Sequence, residues 1–275
     1  MAVQRVTTRN ARFQQWQALL ASRNKRQRAR EFLVQGVRPI TVAVEMGWPI
    51  HTLIFDGSRA QSRWARKLLS TVQAEQVAMS SELLAELGEK DEAAPEVIAI
   101  MEVPDDDLRR IAVGPQFLGV VFDRPASPGN VGSIIRSADA FGADGVLVTG
   151  HAADVYDPKS VRASTGSLFA VPVVRIPSHR EVMKWVEGRR EQGCPVRVVG
   201  TDEDGETRLF DCDLTGPTLL LIGNEATGLS AAWRGWCDQM VSMPMMGTAS
   251  SLNAANAATA VLYEAARQRI MAARG

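Results

Sequence analysis

The fold is indicated most clearly by the segment Phe117-Leu-Gly-Val-Val-Phe-Asp-Arg-Pro-Ala-Ser-Pro-Gly-Asn-Val-Gly-Ser-Ile-Ile-Arg136. It begins with an apolar run, 117–122, that lacks alternation and therefore predicts a strand covered on both faces. A loop rich in proline and glycine follows, and Asn130 stands where we expect the cap of the next helix. A buried strand that passes through a tight loop into a helix predicts the start of a parallel α/β sheet.

The same alternation continues to the C-terminus. Asp157 and Pro158 form a good helix start signal, a capping carboxylate followed by proline at the first helical position. The strand-like runs are 145–148, 171–176, 196–199, 219–222 and 240–243, and the helix-like segments are 131–141, 158–169, 180–192 and 252–272. Helices of this length between apolar strands predict an α/β fold with a parallel sheet.

Residues before this region predict a smaller α/β domain. Residues 14–35 predict a helix followed by a basic stretch, which leads into a strand at 31–34. Further strands at 52–55 and 96–103 flank a helix at 59–72. A polar run that opens with Pro104 suits a linker. We therefore place one domain at 1–107 and a second at 108–275.

The charge of the chain is distributed unevenly. It carries 31 basic and 31 acidic residues, yet residues 1–40 hold nine basic side chains against Glu31 alone, while 80–107 hold ten acids against Lys90. A concentrated positive region favours binding to a polyanion such as RNA, although a solvated basic helix gives the same pattern. The candidate RNA-binding residues are Arg23, Lys25, Arg26, Arg28, Arg30 and Arg38.

Several classes of protein are disfavoured. The longest apolar runs are far shorter than the roughly 20 residues of a membrane span. No apolar segment follows the N-terminal arginines, so we expect a cytoplasmic protein rather than a secreted one. The three cysteines and three histidines are scattered, which predicts no metal site and favours buried cysteines.

A second segment, 219–230, has the glycine spacing of a phosphate-binding loop. That loop needs a lysine after its second glycine, and Leu229 occupies the position here, so nucleotide hydrolysis is disfavoured. The dinucleotide signature is missing from the sequence as well. What remains is a strand followed by a loop that could pass its backbone close to a ligand, with Glu225 beside it.

A third segment, 241–253, is rich in methionine and small residues. Met243, Met245 and Met246 could contact an adenine ring or simply fill the core. Ser251 and Asn253 are predicted to open the last helix.

In this order, the three segments resemble the signature motifs of the SpoU branch of the SPOUT RNA methyltransferases. The resemblance covers about 115–272, and the N-terminal part is similar to the family's L30-like substrate-binding domain. The matching residues are Asn130, Gly132 and Arg136 in the first motif, Gly223, Asn224, Glu225 and Gly228 in the second, and Pro244, Ser251, Leu252 and Asn253 in the third.

The resemblance implies a parallel sheet that ends in a deep trefoil knot, a rare exception to the rule that chains do not thread loops. It also implies a homodimer, S-adenosylmethionine as cofactor, and methylation of a ribose 2′-hydroxyl, with a uridine of 23S rRNA as the expected target and antibiotic resistance as the consequence. Two alternatives remain open. One is a tRNA ribose methyltransferase, and the other is an RNA-binding or ribosome assembly factor without catalysis.

The resemblance also implies roles for individual residues. The expected catalytic residues are Arg136, Asn130, Glu225, Ser251 and Asn253. The expected cofactor-binding residues are Thr149, Gly200, Thr201, Ile222, Gly223, Asn224, Met243, Met245, Ser251 and Leu252. Because the pKa of arginine is above about 12, we expect Arg136 to bind phosphate and stabilise the 2′-oxygen rather than accept its proton. One departure from the family is the acidic turn 88–95, which would repel phosphate.

Overall fold

The computed structural model describes residues 3–89 and 94–274. The chain divides into two compact units, Met1–Pro104 with Tyr156–Ala170, and Asp105–Val155 with Val171–Gly275. The first break therefore lies at Pro104 rather than 107, and a segment that the sequence assigned to the second domain packs within the first unit. Within the described residues, no helix has both the length and the apolar character needed to cross a membrane. Residues 90–93, half of the acidic turn 88–95, lie outside the described residues.

The strands and helices are as follows. In chain order the strands are β1 Gln4–Val6, β2 Glu31–Gln35, β3 Ile50–Asp56, β4 Glu75–Met79, β5 Val97–Glu102, β6 Leu118–Asp123, β7 Gly145–Thr149, β8 Val173–Ile176, β9 Arg197–Thr201, β10 Thr207–Arg208, β11 Thr218–Ile222 and β12 Gln239–Ser242. The helices are α1 Ala11–Ala21, α2 Arg23–Ala29, α3 Val37–Glu45, α4 Arg63–Thr71, α5 Ser81–Leu87, α6 Pro128–Ala140, α7 Pro158–Ser164, α8 Ser167–Ala170, α9 His179–Glu191, α10 Ala231–Arg234 and α11 Ala254–Ala272.

The first unit contains a mixed sheet with the strand order β1-β4-β3-β5-β2. The strands β1, β4 and β3 are parallel, whereas β5 runs antiparallel to both of its neighbours. Phe13 and Trp16 of α1 and Leu84 of α5 are buried in its core. This packing follows from the sequence, because α1 and α5 each place their apolar residues on one face.

The segment 156–170 is held in the first unit by aromatic packing. The ring centroids of Tyr156 and Phe32 are 4.8 Å apart, and those of Phe169 and Trp48 are 5.0 Å apart. The indole nitrogen of Trp48 also donates a hydrogen bond to the Phe169 carbonyl at 3.0 Å. The single helix predicted at 158–169 is interrupted at Thr165, which adopts a left-handed conformation with φ of 50°. The sequence did predict the start of α7, which Asp157 caps.

The second unit contains a sheet with the order β10-β12-β9-β11-β6-β7-β8, in which every pair is parallel. All residues of β6, β7 and β11 are buried, as expected for strands covered on both faces. The predicted α/β fold with a parallel sheet is thus confirmed. The trefoil knot stays a prediction.

The helix α6 corrects one detail of the sequence interpretation. Its cap is Ser127, whose hydroxyl accepts from the amide of Asn130, and Pro128 takes the first helical position. Asn130 therefore lies inside the first turn, where its side chain is available for contacts with other segments. Helix α6 packs along α11, and the hydroxyls of Ser137 and Thr259 are 2.7 Å apart.

Candidate active site

A cleft of about 360 Å³ lies at the carboxyl ends of three neighbouring strands of the second unit. Thr201 ends β9, Ile222 ends β11, and Met243 follows β12, and all three residues line the cleft. Ligands of open parallel sheets bind at this edge. The volume falls within the range of small-molecule sites.

The loop after β11 forms one wall of the cleft and has a closely determined shape. Asn224 and Gly228 exchange two backbone hydrogen bonds of 3.0 Å, and the Asn224 side chain accepts from the amides of Ala226 and Thr227. A Cβ on Gly223 would lie 2.3 Å from the carbonyl carbon of Gly228. Only glycine therefore allows the loop to fold back this closely on the strand end.

Glu225 joins this loop to the start of α6. Its carboxylate accepts hydrogen bonds from the amides of Ala126 at 2.9 Å and Ser127 at 3.1 Å, and from the Asn130 side chain at 2.9 Å. Partial burial would raise the pKa of Glu225, but these hydrogen bonds outweigh it and lower the pKa below the ordinary 4.5. The carboxylate is therefore ionised at neutral pH and is a weak proton acceptor.

Asn130 connects Glu225 to the third segment. Its side-chain oxygen accepts from Asn253 at 3.2 Å, and Asn253 itself caps α11 through the amide of Ala255. The structure thus joins Asn130, Glu225 and Asn253, three of the five expected catalytic residues, in one hydrogen-bonded chain.

The other two expected catalytic residues are exposed. Ser251 lines the cleft. Arg136 lies on α6 and forms neither a hydrogen bond nor an ion pair with any of the described residues. Its guanidinium is therefore available to an anion from solution.

Most expected cofactor residues line the cleft, but two do not. Those that line it are Thr201, Ile222, Gly223, Asn224, Met243, Met245, Ser251 and Leu252. Thr149 is 1% exposed, and its hydroxyl contacts Asp123 and the indole of Trp233. Gly200 faces Cys237, whose sulfur would lie 2.6 Å from an added Cβ. These two positions serve packing, and their contact with a cofactor stays a prediction.

The structure adds an acidic part of the cleft that the sequence interpretation missed. Asp202, Glu203 and Asp204 line it, and Asp202 forms an ion pair with Arg234. The signal that could have revealed them is the acidic run directly after the end of β9. Met246, by contrast, is 95% exposed and does not fill the core.

The candidate RNA-binding residues of the first unit differ in their accessibility. Lys25, Arg28 and Arg38 are exposed, whereas Arg26 is only 3% exposed. The Arg26 guanidinium donates to the carbonyls of Leu19 at 2.6 Å and Leu20 at 3.0 Å. The expectation that Arg26 contacts RNA is therefore wrong, because its charge is used to stabilise the end of α1.

Two further candidates, Arg23 and Arg30, also have partners within the protein. Arg30 is exposed but donates to the carbonyl of Val103 at 3.0 Å. Arg38 is likewise exposed but donates to the carbonyl of Thr165 at 3.3 Å.

Family models match both units of the protein. Residues 10–99 match the SpoU L30e-like domain, and residues 118–263, more than half of the chain, match the SpoU rRNA methylase family. The protein belongs to the SpoU rRNA methylase family, which confirms the resemblance found in the sequence.

Individual relatives are similar over nearly the whole chain. The 23S rRNA (uridine(2479)-2′-O)-methyltransferase of Streptomyces viridochromogenes is 69% identical over 269 residues, 98% of this chain and 94% of that protein. The crystal structure of the SpoU methyltransferase AviRb from Streptomyces viridochromogenes, in complex with AdoMet, has a TM-score of 0.92 at 69% identity and covers 95% of this chain and 99% of that one. The AdoMet-bound rRNA methyltransferase from Sinorhizobium meliloti has a TM-score of 0.84 at 30% identity and covers 96% of this chain and 98% of that one.

Proposed function

We propose that the protein transfers a methyl group from S-adenosylmethionine (AdoMet) to the ribose 2′-hydroxyl of a uridine in 23S rRNA. The observation that carries this proposal is the chain Glu225–Asn130–Asn253 beside the cleft, in a protein 69% identical to an enzyme of that name. A tRNA target is an outcome that the experiment below distinguishes.

The cleft has the chemical character that AdoMet requires. Met243, Met245 and Leu252 provide apolar and polarisable surface for an adenine ring. Thr201 and the backbone of the loop at Gly223 add polar groups, and the absence of a side chain at Gly223 allows the Gly228 backbone to pack against the strand end. We therefore assign these residues to the cofactor.

When bound, AdoMet supplies an activated methyl group, so the protein's own task is to position and expose the 2′-oxygen. Arg136 binds the neighbouring phosphate and stabilises negative charge as it develops on that oxygen. Asn130 and Asn253 orient the ribose, and Glu225 fixes Asn130 in place. With its lowered pKa, Glu225 is a poor proton acceptor, which favours transfer of the hydroxyl proton to the RNA phosphate or to water.

The first unit binds RNA through its basic surface. Lys25, Arg28 and Arg38 are exposed there, and each contact with a phosphate adds affinity that falls as salt is raised. Because the proposed substrate is ribosomal RNA, we expect the protein to act in the cytoplasm.

We further propose that the protein is a homodimer through the second unit. Helix α11 carries three large apolar side chains that are each more than half exposed, at Tyr263, Ile270 and Met271. Such surfaces are typical of protein–protein interfaces. Light scattering of the wild-type protein and of Ile270→Asp tests this assignment, and a monomeric wild type would contradict it.

The function is tested by transfer of radiolabelled methyl groups from AdoMet to 23S rRNA, 16S rRNA and bulk tRNA. We expect label in 23S rRNA at one alkali-resistant linkage, loss of transfer in Arg136→Ala, and little change in the matched control Arg109→Ala, whose side chain is 89% exposed. Label in tRNA alone would contradict the proposed substrate, and no transfer to any RNA would contradict the proposed activity. Expression in a sensitive host should raise resistance to an antibiotic that binds 23S rRNA.

A further inference from the structure

Arg124 connects the strand β6 to the loop that forms one wall of the cleft. Its guanidinium donates from Nη2 to the carbonyl of Gly228 at 3.0 Å. Its own carbonyl accepts from the side-chain amide of Asn224 at 2.7 Å. Both ends of the loop between Asn224 and Gly228 are therefore held by one residue.

The neighbouring Asp123 reinforces this attachment. It is 3% exposed, and its Oδ2 accepts from Arg124 Nε and from the amide of Ser230, both at 3.0 Å. A buried carboxylate requires hydrogen-bond partners, and Asp123 has them here. Asp123 thus holds the Arg124 guanidinium in the orientation that reaches Gly228.

The backbone around Arg124 is built for this arrangement. Arg124 adopts a left-handed conformation with φ of 52°, which is unfavourable for a residue with a side chain, and its amide donates to the Thr149 carbonyl at 2.9 Å. A Cβ added to Gly150, the residue after Thr149, would lie 2.5 Å from Arg124 Cγ. The glycine therefore leaves space for the arginine stem to cross the sheet edge.

We propose that Arg124 is a positioning residue that holds the loop 223–228 in the shape that binds AdoMet. The inference rests on the proposed function, since it assigns the cleft to that cofactor. Arg124 is not itself among the residues that line the cleft, so it acts through the loop. Glu225 holds the same loop to Ala126, Ser127 and Asn130 by separate hydrogen bonds, so the contacts on the proposed RNA side persist without Arg124.

This separation predicts a split between cofactor affinity and turnover. A hydrogen bond from a charged donor contributes enough that its loss should raise the Kd and KM for AdoMet about ten- to a hundredfold. At saturating AdoMet, kcat should change by less than about threefold, because binding energy lost equally from ground state and transition state leaves kcat unchanged.

The experiment measures AdoMet binding by calorimetry, and thermal unfolding without ligand, for the wild type, Arg124→Ala, Arg124→Lys and the control Arg109→Ala. Alanine meets the same left-handed strain as arginine, so Arg124→Ala removes only the side-chain contacts. Arg124→Lys retains the charge but not the fork that bonds Asp123 and Gly228 together, and it replaces the alanine variant if that fails to fold. Binding by Arg124→Ala is repeated with millimolar guanidinium added.

We expect weakened binding in both Arg124 variants, an unfolding temperature of Arg124→Ala that is lowered because Asp123 loses its buried partner but that stays above the temperature of the binding assay, partial rescue of Arg124→Ala by guanidinium, and no effect in the control. A Kd within threefold of the wild type in a folded Arg124 variant overturns the inference, as does an equal loss in Arg109→Ala. If the wild type itself does not bind AdoMet, the proposed function fails, which is distinct from tight binding that does not depend on Arg124.

Discussion

Arg26 and Arg28 lie two residues apart in α2, yet the structure predicts opposite consequences for their removal. Arg26→Ala eliminates hydrogen bonds to the last carbonyls of α1, at Leu19 and Leu20, in a place from which water is excluded. Arg28 is exposed and forms no hydrogen bond or ion pair with the other described residues. The pair therefore separates a structural role from an RNA-binding one.

The loss of stability follows from these contacts. A hydrogen bond to a charged group contributes about 1.5 to 3 kcal/mol, and two bonds that share one guanidinium should total about 3 kcal/mol. The ion pair between Arg26 and Asp157 adds less than these two bonds, because its N–O distance of 3.5 Å is at the outer limit of a hydrogen bond. We expect Arg28→Ala to change the free energy of unfolding by less than about 0.5 kcal/mol.

Urea denaturation gives the free energy of unfolding, and hydrogen exchange of the α1 amides reports on the first unit separately. RNA affinity is measured for the folded variants over a range of salt concentrations. Arg28→Ala should weaken binding several-fold and reduce the slope of log K against log salt by about one. If Arg26→Ala keeps the stability of the wild type, or if it lowers the salt slope as Arg28→Ala does, the assignment of Arg26 to the core is refuted.

Three further predictions concern the second unit. Hydrogen bonds lower the pKa of Glu225, so the contribution of this carboxylate to stability is complete above pH 4.5, its ordinary pKa, and is lost as the pH falls through the lower pKa of the folded protein. Glu225→Gln should remove this pH-dependent part of the acid-unfolding curve, and an unchanged curve would contradict the prediction. Gly223→Ala should weaken AdoMet binding at least about tenfold, since its Cβ would meet the Gly228 backbone at 2.3 Å, whereas Gly216→Ala, with nothing within 4 Å, should bind normally; equal calorimetric affinities would contradict the role of the loop. Burial raises the pKa of Cys237 to about 11, so its reaction with a thiol reagent at pH 8 should be far slower than in the unfolded protein, and comparable rates would show that it is accessible.

The sequence predicts six of the seven strands of the second unit, all except β10, because their signal is local. Buried parallel strands are continuous apolar runs, and β6, β7 and β11 can be identified without knowledge of their neighbours. In the first unit, β4 escapes detection because it begins with Glu75 and Gln76, and its apolar half is only three residues long. Its place in the sheet comes from pairing with β3, which is not local information.

The candidate site shows the same difference between features that local sequence predicts and features that depend on distant residues. Residues at strand ends can be predicted to meet at one edge of a sheet, and Ile222 and Met243 do line one cleft. The partners of each side chain could not be predicted in this way. Asn130 was expected to cap its own helix, but it lies within the first turn of α6, three residues after the actual cap Ser127, and bonds to Glu225, which is 95 residues away in the chain.

Arg124 and Arg136 show why composition and spacing alone leave roles undecided. Both arginines belong to the segment 117–136, and the sequence interpretation gave a role only to Arg136. What distinguishes Arg124 is set across the sheet: Asp123 pairs in register with Thr149, so that Gly150 comes to lie beneath the Arg124 stem. A larger residue at 150 would displace that stem, and the guanidinium could then no longer reach Gly228. The role of Arg124 is therefore a consequence of strand register and of a missing side chain on the neighbouring strand, which can be seen only once the chain has folded.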